Sequence, residues 1–232
     1  MAGIEDEQKD KLNRELKAFM DNAITEYTGF LENDKPCCYI RNTFNKNYAS
    51  DWKHTEAQAR YILYSSYAQI ADYMNIFSSL LESMEIRNRI KVVSFYPGPL
   101  TDLHALQRIL PNKFIDFTAV DSTTWKHALA EKPYKGILTR QEGHIHHWFM
   151  DNPFLDTDLY ILHRNRLEIT LDSLWSSMRN SKSRKSRFSI LVLDTIQSES
   201  NKLNEKYRLR INTQIKAMAR TLKDHNGNPY IV

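Results

Sequence analysis

The stretch Lys91-Val92-Val93-Ser94-Phe95-Tyr96-Pro97-Gly98-Pro99-Leu100-Thr101-Asp102-Leu103 decides the fold, because an apolar run breaks at a Pro-Gly-Pro turn and a helix-like segment follows at once. Strand, tight turn and helix in that order are how α/β proteins bring backbone N–H groups around a nucleotide-like ligand. Gly98 is the only glycine in the stretch. The chain thus follows a cofactor-binding plan with little of the glycine that lets backbone approach a ligand and take positive φ. Without a ligand, the same stretch is a buried strand ending in a Pro-Gly turn.

Outward from this stretch the patterns alternate. Strand-like runs at 90–96, 114–120, 158–162 and 188–194, with a weaker one at 143–149, are separated by helical patterns at 102–110, 123–130, 166–179 and 197–224. Such alternation predicts a Rossmann-like α/β fold, a mainly parallel sheet with helices on both faces. The run Phe188-Ser189-Ile190-Leu191-Val192-Leu193-Asp194 reads as a strand buried on both sides, and it argues against a purely helical binding module. Ahead of the sheet, Leu12, Leu16, Phe19, Ala23, Tyr27 and Phe30 line one face of an amphipathic helix over about 5–31. Thr55-Glu56-Ala57-Gln58 has the form of a capping box, and behind it Ile62, Ser66, Ile70, Tyr73, Phe77, Leu80 and Met84 keep helical period in a long helix interrupted once. The expected organisation is an N-terminal helical segment over 1–86 and an α/β domain over 87–232.

Composition sets outer bounds on function. The chain has 232 residues, of which 41% are hydrophobic and 11% aromatic, enough for a globular core. Its six glycines fall well below the usual share of about 7%, so helices should dominate over tight turns. Cys37 and Cys38 are adjacent, a spacing that rarely makes a structural disulfide and points to a reducing compartment. No apolar stretch approaches the roughly 20 residues of a membrane span, and the start Met1-Ala2-Gly3-Ile4-Glu5-Asp6-Glu7 is acidic, unlike a signal peptide. Cytoplasm or nucleus is the expected location, with no membrane partner.

Laid out by position, Ser94, Tyr96, Gly98 and Leu100 resemble motif I of the class I S-adenosylmethionine-dependent methyltransferases. In that motif an apolar strand ends in an acid and an alternating glycine loop. Here Ser94 stands where the acid usually is, Tyr96 and Leu100 replace the first and third glycines, and Gly98 is kept. The resemblance implies S-adenosylmethionine held around Ser94, Tyr96 and Gly98, with N-terminal helices capping the substrate side. It implies that Asp121, closing the second strand, accepts from the cofactor ribose hydroxyls; as an N-cap for the following helix the same residue needs no ligand. Asp151, after the weak third strand, would face the adenine amino group. The fourth strand ends in His163-Arg164-Asn165, where the family places catalytic residues, so His163 is the candidate general base; a structural histidine is the alternative. No Asn-Pro-Pro-Tyr or Asp-Pro-Pro-Tyr occurs there, which removes the signature of amino-group methylation on bases. A complete sheet of this class has two further strands beyond those read here.

Three features stand apart from the resemblance. His144 and His146 in Gly143-His144-Ile145-His146-His147-Trp148 share one face of a strand, but no second ligand pair accompanies them, and no metal is expected. Asp102, with Thr101 as its competitor, stands where the first crossover helix is capped or carries an acid in its first turn. Arg179-Asn180-Ser181-Lys182-Ser183-Arg184-Lys185-Ser186-Arg187 gathers Arg179, Lys182, Arg184, Lys185 and Arg187 without an acid. Such a run is a solvated loop, an import signal or a phosphate contact. The expected activity is methyl transfer to RNA or a protein partner, and the competing class is an inactive domain of the same plan serving as an interaction subunit. The N-terminal helices offer a protein partner a surface, and the sequence carries no signal of oligomeric state.

If the basic run meets phosphates, changing Arg184, Lys185 and Arg187 together to Ala flattens the log–log salt dependence of RNA binding by up to about 3 units, since each neutralised phosphate contributes about 0.7–0.9. A filter-binding series over salt concentration measures the slope, and an unchanged slope removes the run from any RNA contact.

Overall fold

The computed structural model describes residues 2–32, 55–82, 86, 88–129, 133, 135–143, 148, 157–163 and 189–193; the helices expected at 166–179 and 197–224 lie outside them. The chain divides into two compact units, one of Met1–Arg89, Pro97–Ile115 and Thr123–Leu138, the other of Ile90–Tyr96, Asp116–Ser122 and Thr139–Val232.

The first unit is mostly helical. Helix α1 (Ala2–Glu32) buries Leu12, Phe19 and Ala23 from the expected stripe. The single interruption expected in the next long helix is a π-helical segment, Ile62–Ser66, between α2 (Thr55–Tyr61) and α3 (Tyr67–Glu82). Its cause is visible in the spacing. The buried positions Gln58, Ile62, Ser66 and Ile70 recur every four residues, longer than the 3.6 of an α-helix, and the wider π turn keeps them on one side. Phe19, Ala23, Ile62, Ile70 and Leu129 form one apolar cluster, in which each large side chain contributes roughly 1.5–3 kcal/mol relative to exposure. Helix α4 (Thr101–Ile109) packs along α3 and is buried at every residue from Thr101 to Gln107.

That burial carries polar groups with it. Arg108 Nε donates to His104 Nε2 at 2.9 Å, and Arg108 Nη2 donates to Asn13 Oδ1 on α1 at 3.0 Å. Burial, and then the Arg108 charge, push His104 down to about 3. Neither Thr101 nor Asp102 caps α4. The capping position is Leu100, in the left-handed region with no side-chain bond, while Asp102 sits in the first turn and its Oδ1 accepts the Leu103 N–H at 2.8 Å.

The second unit holds most of a five-stranded sheet in the order β3-β2-β1-β4-β5, with β1 Arg89–Phe95, β2 Phe114–Asp121, β3 Gly136–Glu142, β4 Leu159–His163 and β5 Ser189–Leu193. β1 pairs β4, and β4 pairs β5, in parallel. The remaining pairs follow from bonds at both ends. Phe114 N–H reaches Asn88 C=O at the starts of β2 and β1, and Tyr96 N–H reaches Val120 C=O at their ends. Likewise Ile115 N–H reaches Lys135 C=O, and Gly143 N–H reaches Asp121 C=O, across β2 and β3. The sheet is therefore parallel, and the fold is the expected Rossmann-like α/β class behind an N-terminal helical segment.

Two elements differ from expectation. Residues 123–129 are not helical, because tertiary partners take their backbone groups: Gln58 Nε2 donates to Thr124 C=O, Lys126 N–H donates to Gln58 Oε1, and Leu129 N–H reaches Pro99 C=O. The third strand runs over Gly136–Glu142, ahead of the 143–149 expected for it. It is an edge strand, exposed at Ile137, Thr139, Arg140 and Glu142, so it has no apolar run to betray it. Gly136 starts it at φ 148°, where a Cβ would meet Ile115 O at 1.9 Å.

The 124–127 segment is also anchored by charge. Glu26, with its side chain 14% exposed, holds Lys126 Nζ at 2.7 Å and His127 Nε2 at 2.6 Å. Burial pushes the Glu26 carboxyl up, but hydrogen bonds from Lys126, Thr55 and His127 and the Lys126 charge together bring it below its ordinary value. A depressed carboxyl contributes stability that is complete above the unfolded value of about 4.3 and is lost as pH falls through the folded one. Glu26→Gln is accordingly expected to lose about 1–2 kcal/mol at neutral pH and to converge with wild type in acid, as read by urea unfolding across pH.

Candidate functional site

From β1 the chain moves outward through β2 to β3, then returns to the other side of β1 for β4 and β5. The order therefore reverses between β1 and β4, and in open parallel sheets ligands gather beyond the carboxyl ends of the strands at that point. Ser94 and Tyr96 stand at the end of β1, His163 at the end of β4 and Asp121 at the end of β2.

Register explains which side chains meet. Ser94 pairs with Ile161, and His163 lies two residues on, so Ser94 and His163 share a face. Ser94 Oγ stands 3.3 Å from His163 Nε2. Ser94 is buried and His163 half-buried. The opposite face is aromatic: Phe95 stacks on Tyr160 with centroids 6.5 Å apart and takes Trp148 edge-on at 5.4 Å. This packing makes a rigid back wall for the strand pair.

The loop after β1 has an unusual backbone. Tyr96, Gly98 and Leu100 have φ of 58°, 59° and 66°, so the two non-glycine residues keep the left-handed conformation at roughly 1–2 kcal/mol each. Pro97 and Pro99 have no N–H, the Tyr96 N–H is bound to Val120 C=O, and the Leu100 N–H closes on Pro97 C=O at 3.2 Å. Four of five backbone positions offer no donor to an anion. The loop is not a phosphate cradle.

Gly98 serves a packing purpose as well as a conformational one. A Cβ on it would lie 3.2 Å from the Trp125 indole, which in turn contacts the Tyr61 ring at 5.5 Å between centroids. Behind the loop, Gln69 Nε2 donates to Tyr61 Oη at 2.6 Å, and Thr101 Oγ1 donates to Gln69 Oε1 at 3.4 Å. Burial raises the Tyr61 phenol above its usual range; the Gln69 bond opposes this and the Asp102 charge adds to it.

Of the residues expected at a site, Ser94 and His163 are in contact, while Tyr96 and Asp121 stand at the ends of adjacent strands. Asp151, His144, His146, Arg179, Lys182, Arg184, Lys185 and Arg187 lie outside the described residues. Among the described residues, no group of three His, Cys, Asp or Glu side chains is placed to hold a metal ion, and no helix is long and apolar enough to cross a membrane. Trp125 and the Gln58 clamp were not legible as parts of this region; the only hint was a bulky indole in the turn after β2. No family model matches the chain, and no curated protein is similar to it.

Gly98→Ala is expected to destabilise the fold by about 1–2 kcal/mol from positive φ alone, and by more because of Trp125. In a Trp125→Ala background the same substitution should cost less, since only the conformational part remains. Equal losses in both backgrounds, measured by urea unfolding, would show that the indole does not press on residue 98.

Proposed function

We propose that the chain is an S-adenosylmethionine-dependent methyltransferase-like protein whose acceptor is RNA or a protein partner. The observation that carries this reading is positive φ at Tyr96, Gly98 and Leu100, where two side chains make that conformation unfavourable. Strain kept at the end of a central strand argues for a use. The donor inventory supports the same choice, because dinucleotides and nucleoside triphosphates need N–H groups for phosphate and this cofactor has no phosphate. Fit is partial: Ser94 supplies no carboxylate, so the acid contribution falls to Asp121.

The bound cofactor would supply a methyl group on a sulfonium, ready for in-line transfer. Asp121, on the strand beside β1, would accept from the two ribose hydroxyls. Tyr96 and Gly98 hold the loop in place by backbone conformation. His163 would take the proton that an acceptor O–H or N–H loses on methylation. Holding the acceptor in line accounts for most of the acceleration in such a site.

A second reading, a cofactor-free domain acting as an interaction subunit, is favoured by the indole over Gly98 and by the loop donors already engaged. Calorimetric titration with S-adenosylmethionine and S-adenosylhomocysteine separates the two. Under the first reading wild type binds, and Asp121→Ala weakens binding by about 1.5–3 kcal/mol. Absence of heat with either ligand supports the scaffold.

A further inference from the structure

We propose that the Trp125 indole is an inhibitory gate over Gly98, occupying the face of the loop that a ligand needs and leaving it only when the 122–128 segment opens. Tyr96 and Leu100 take φ of 58° and 66° while carrying side chains, so a left-handed backbone does not by itself demand glycine at 98. The contact does. A Cβ at residue 98 would lie 3.2, 3.5 and 3.8 Å from Cζ2, Cε2 and Cη2 of the indole. The lack of a Cβ opens one face of a loop to close approach, and Trp125 stands on that face. The inference rests on the methyl-transfer reading, which puts the cofactor against Gly98.

The way Trp125 is held suits a gate. Gln58 brackets it: Nε2 donates to the Thr124 C=O at 3.0 Å and Oε1 accepts the Lys126 N–H at 2.9 Å, one bond on either side of the indole residue. This bracket places the ring without burying the segment that carries it. None of residues 122–128 is buried, whereas Leu129 is, and its N–H is held on Pro99 C=O at 2.8 Å. A segment with few buried apolar groups opens at much lower cost than the core around it. Leu129 marks where that opening stops. By contrast α4, which follows the same loop, is buried at every residue from Thr101 to Gln107 and stays in place. A ligand that needs the open form binds more weakly in proportion to how little of that form is populated, so the bracket sets the affinity without touching the ligand.

The test combines calorimetric titration of the full chain with S-adenosylhomocysteine and amide hydrogen exchange at Lys126. With about 1–10% of wild type open, Trp125→Ala should tighten binding by about 10–100-fold. Trp125→Phe keeps an aromatic ring for the fold but is too short to reach residue 98, and should shift affinity in the same direction. In wild type, saturating S-adenosylhomocysteine should speed exchange of the Lys126 amide, because the bracket to Gln58 is released; ligands ordinarily slow exchange at their sites. Tighter binding in both variants with faster exchange at Lys126 supports the gate, as does binding by Trp125→Ala where wild type shows none. Binding by wild type that neither variant tightens, or a Lys126 amide that the ligand slows or leaves unchanged, overturns the gate and leaves the methyl-transfer reading standing. Absence of binding in wild type and both variants removes that reading, and the gate with it.

Discussion

Asp158 and Lys91 exchange two hydrogen bonds where β4 begins beside β1: the Lys91 N–H donates to Asp158 Oδ2 at 2.7 Å, and the Asp158 N–H donates to Lys91 C=O at 2.9 Å. This clasp sets the register that pairs Val92 with Leu159 and Ser94 with Ile161. Side chains alternate along a strand, so a slip of one residue would send His163 to the face of Phe95 and bring Leu162 to the face of Ser94. The candidate site therefore depends on a contact at the opposite end of the strands. A carboxylate on a backbone N–H is a charge-assisted bond, stronger and more directional than a neutral one, which suits it to that task.

The loop that leaves β1 turns under a second constraint. Pro97 and Pro99 fix two φ values near −65°, and the residues on either side of each proline take φ near +60°. The alternation is thus built from prolines where the resembling motif builds it from glycines. Glycine supplies freedom and leaves the conformation to the fold; proline removes freedom from the unfolded chain and so lowers the entropy lost on folding. The left-handed strain at Tyr96 and Leu100 is offset in part by that preorganisation, and by Trp125 packed on Gly98.

What could be read from sequence follows burial only in part. β1, β2 and β4 are legible because strands inside a parallel sheet are apolar runs, and β5 carries such a run although it closes one edge, whereas β3, at the other edge with Arg140 and Glu142 exposed, left no such trace. The pattern at 123–130 satisfied helical period, yet Gln58, Glu26 and Pro99 claim its backbone and side chains from far along the chain, a tertiary override that local propensity does not encode. At the site, Ser94 and His163 were each visible as residues but their contact was not, because it exists only once a register is chosen. Counting glycines underestimated the loop, since conformation at Tyr96 and Leu100 survives their replacement.

Two histidines show why placement, and not residue type, marks a functional candidate. His104 is fully buried on α4, its Nε2 accepts from Arg108, and burial followed by the Arg108 charge pushes it down to about 3. It is a neutral acceptor that lets Arg108 reach across to Asn13, and taking up a proton would set two cations side by side within a packed interface. Such a ring cannot exchange protons near neutrality. His163 has a hydroxyl for a partner, stands half-buried at a strand end and occupies the point where the strand order reverses. That difference in placement makes one histidine part of the scaffold and the other the residue that the proposed methyl transfer would draw on.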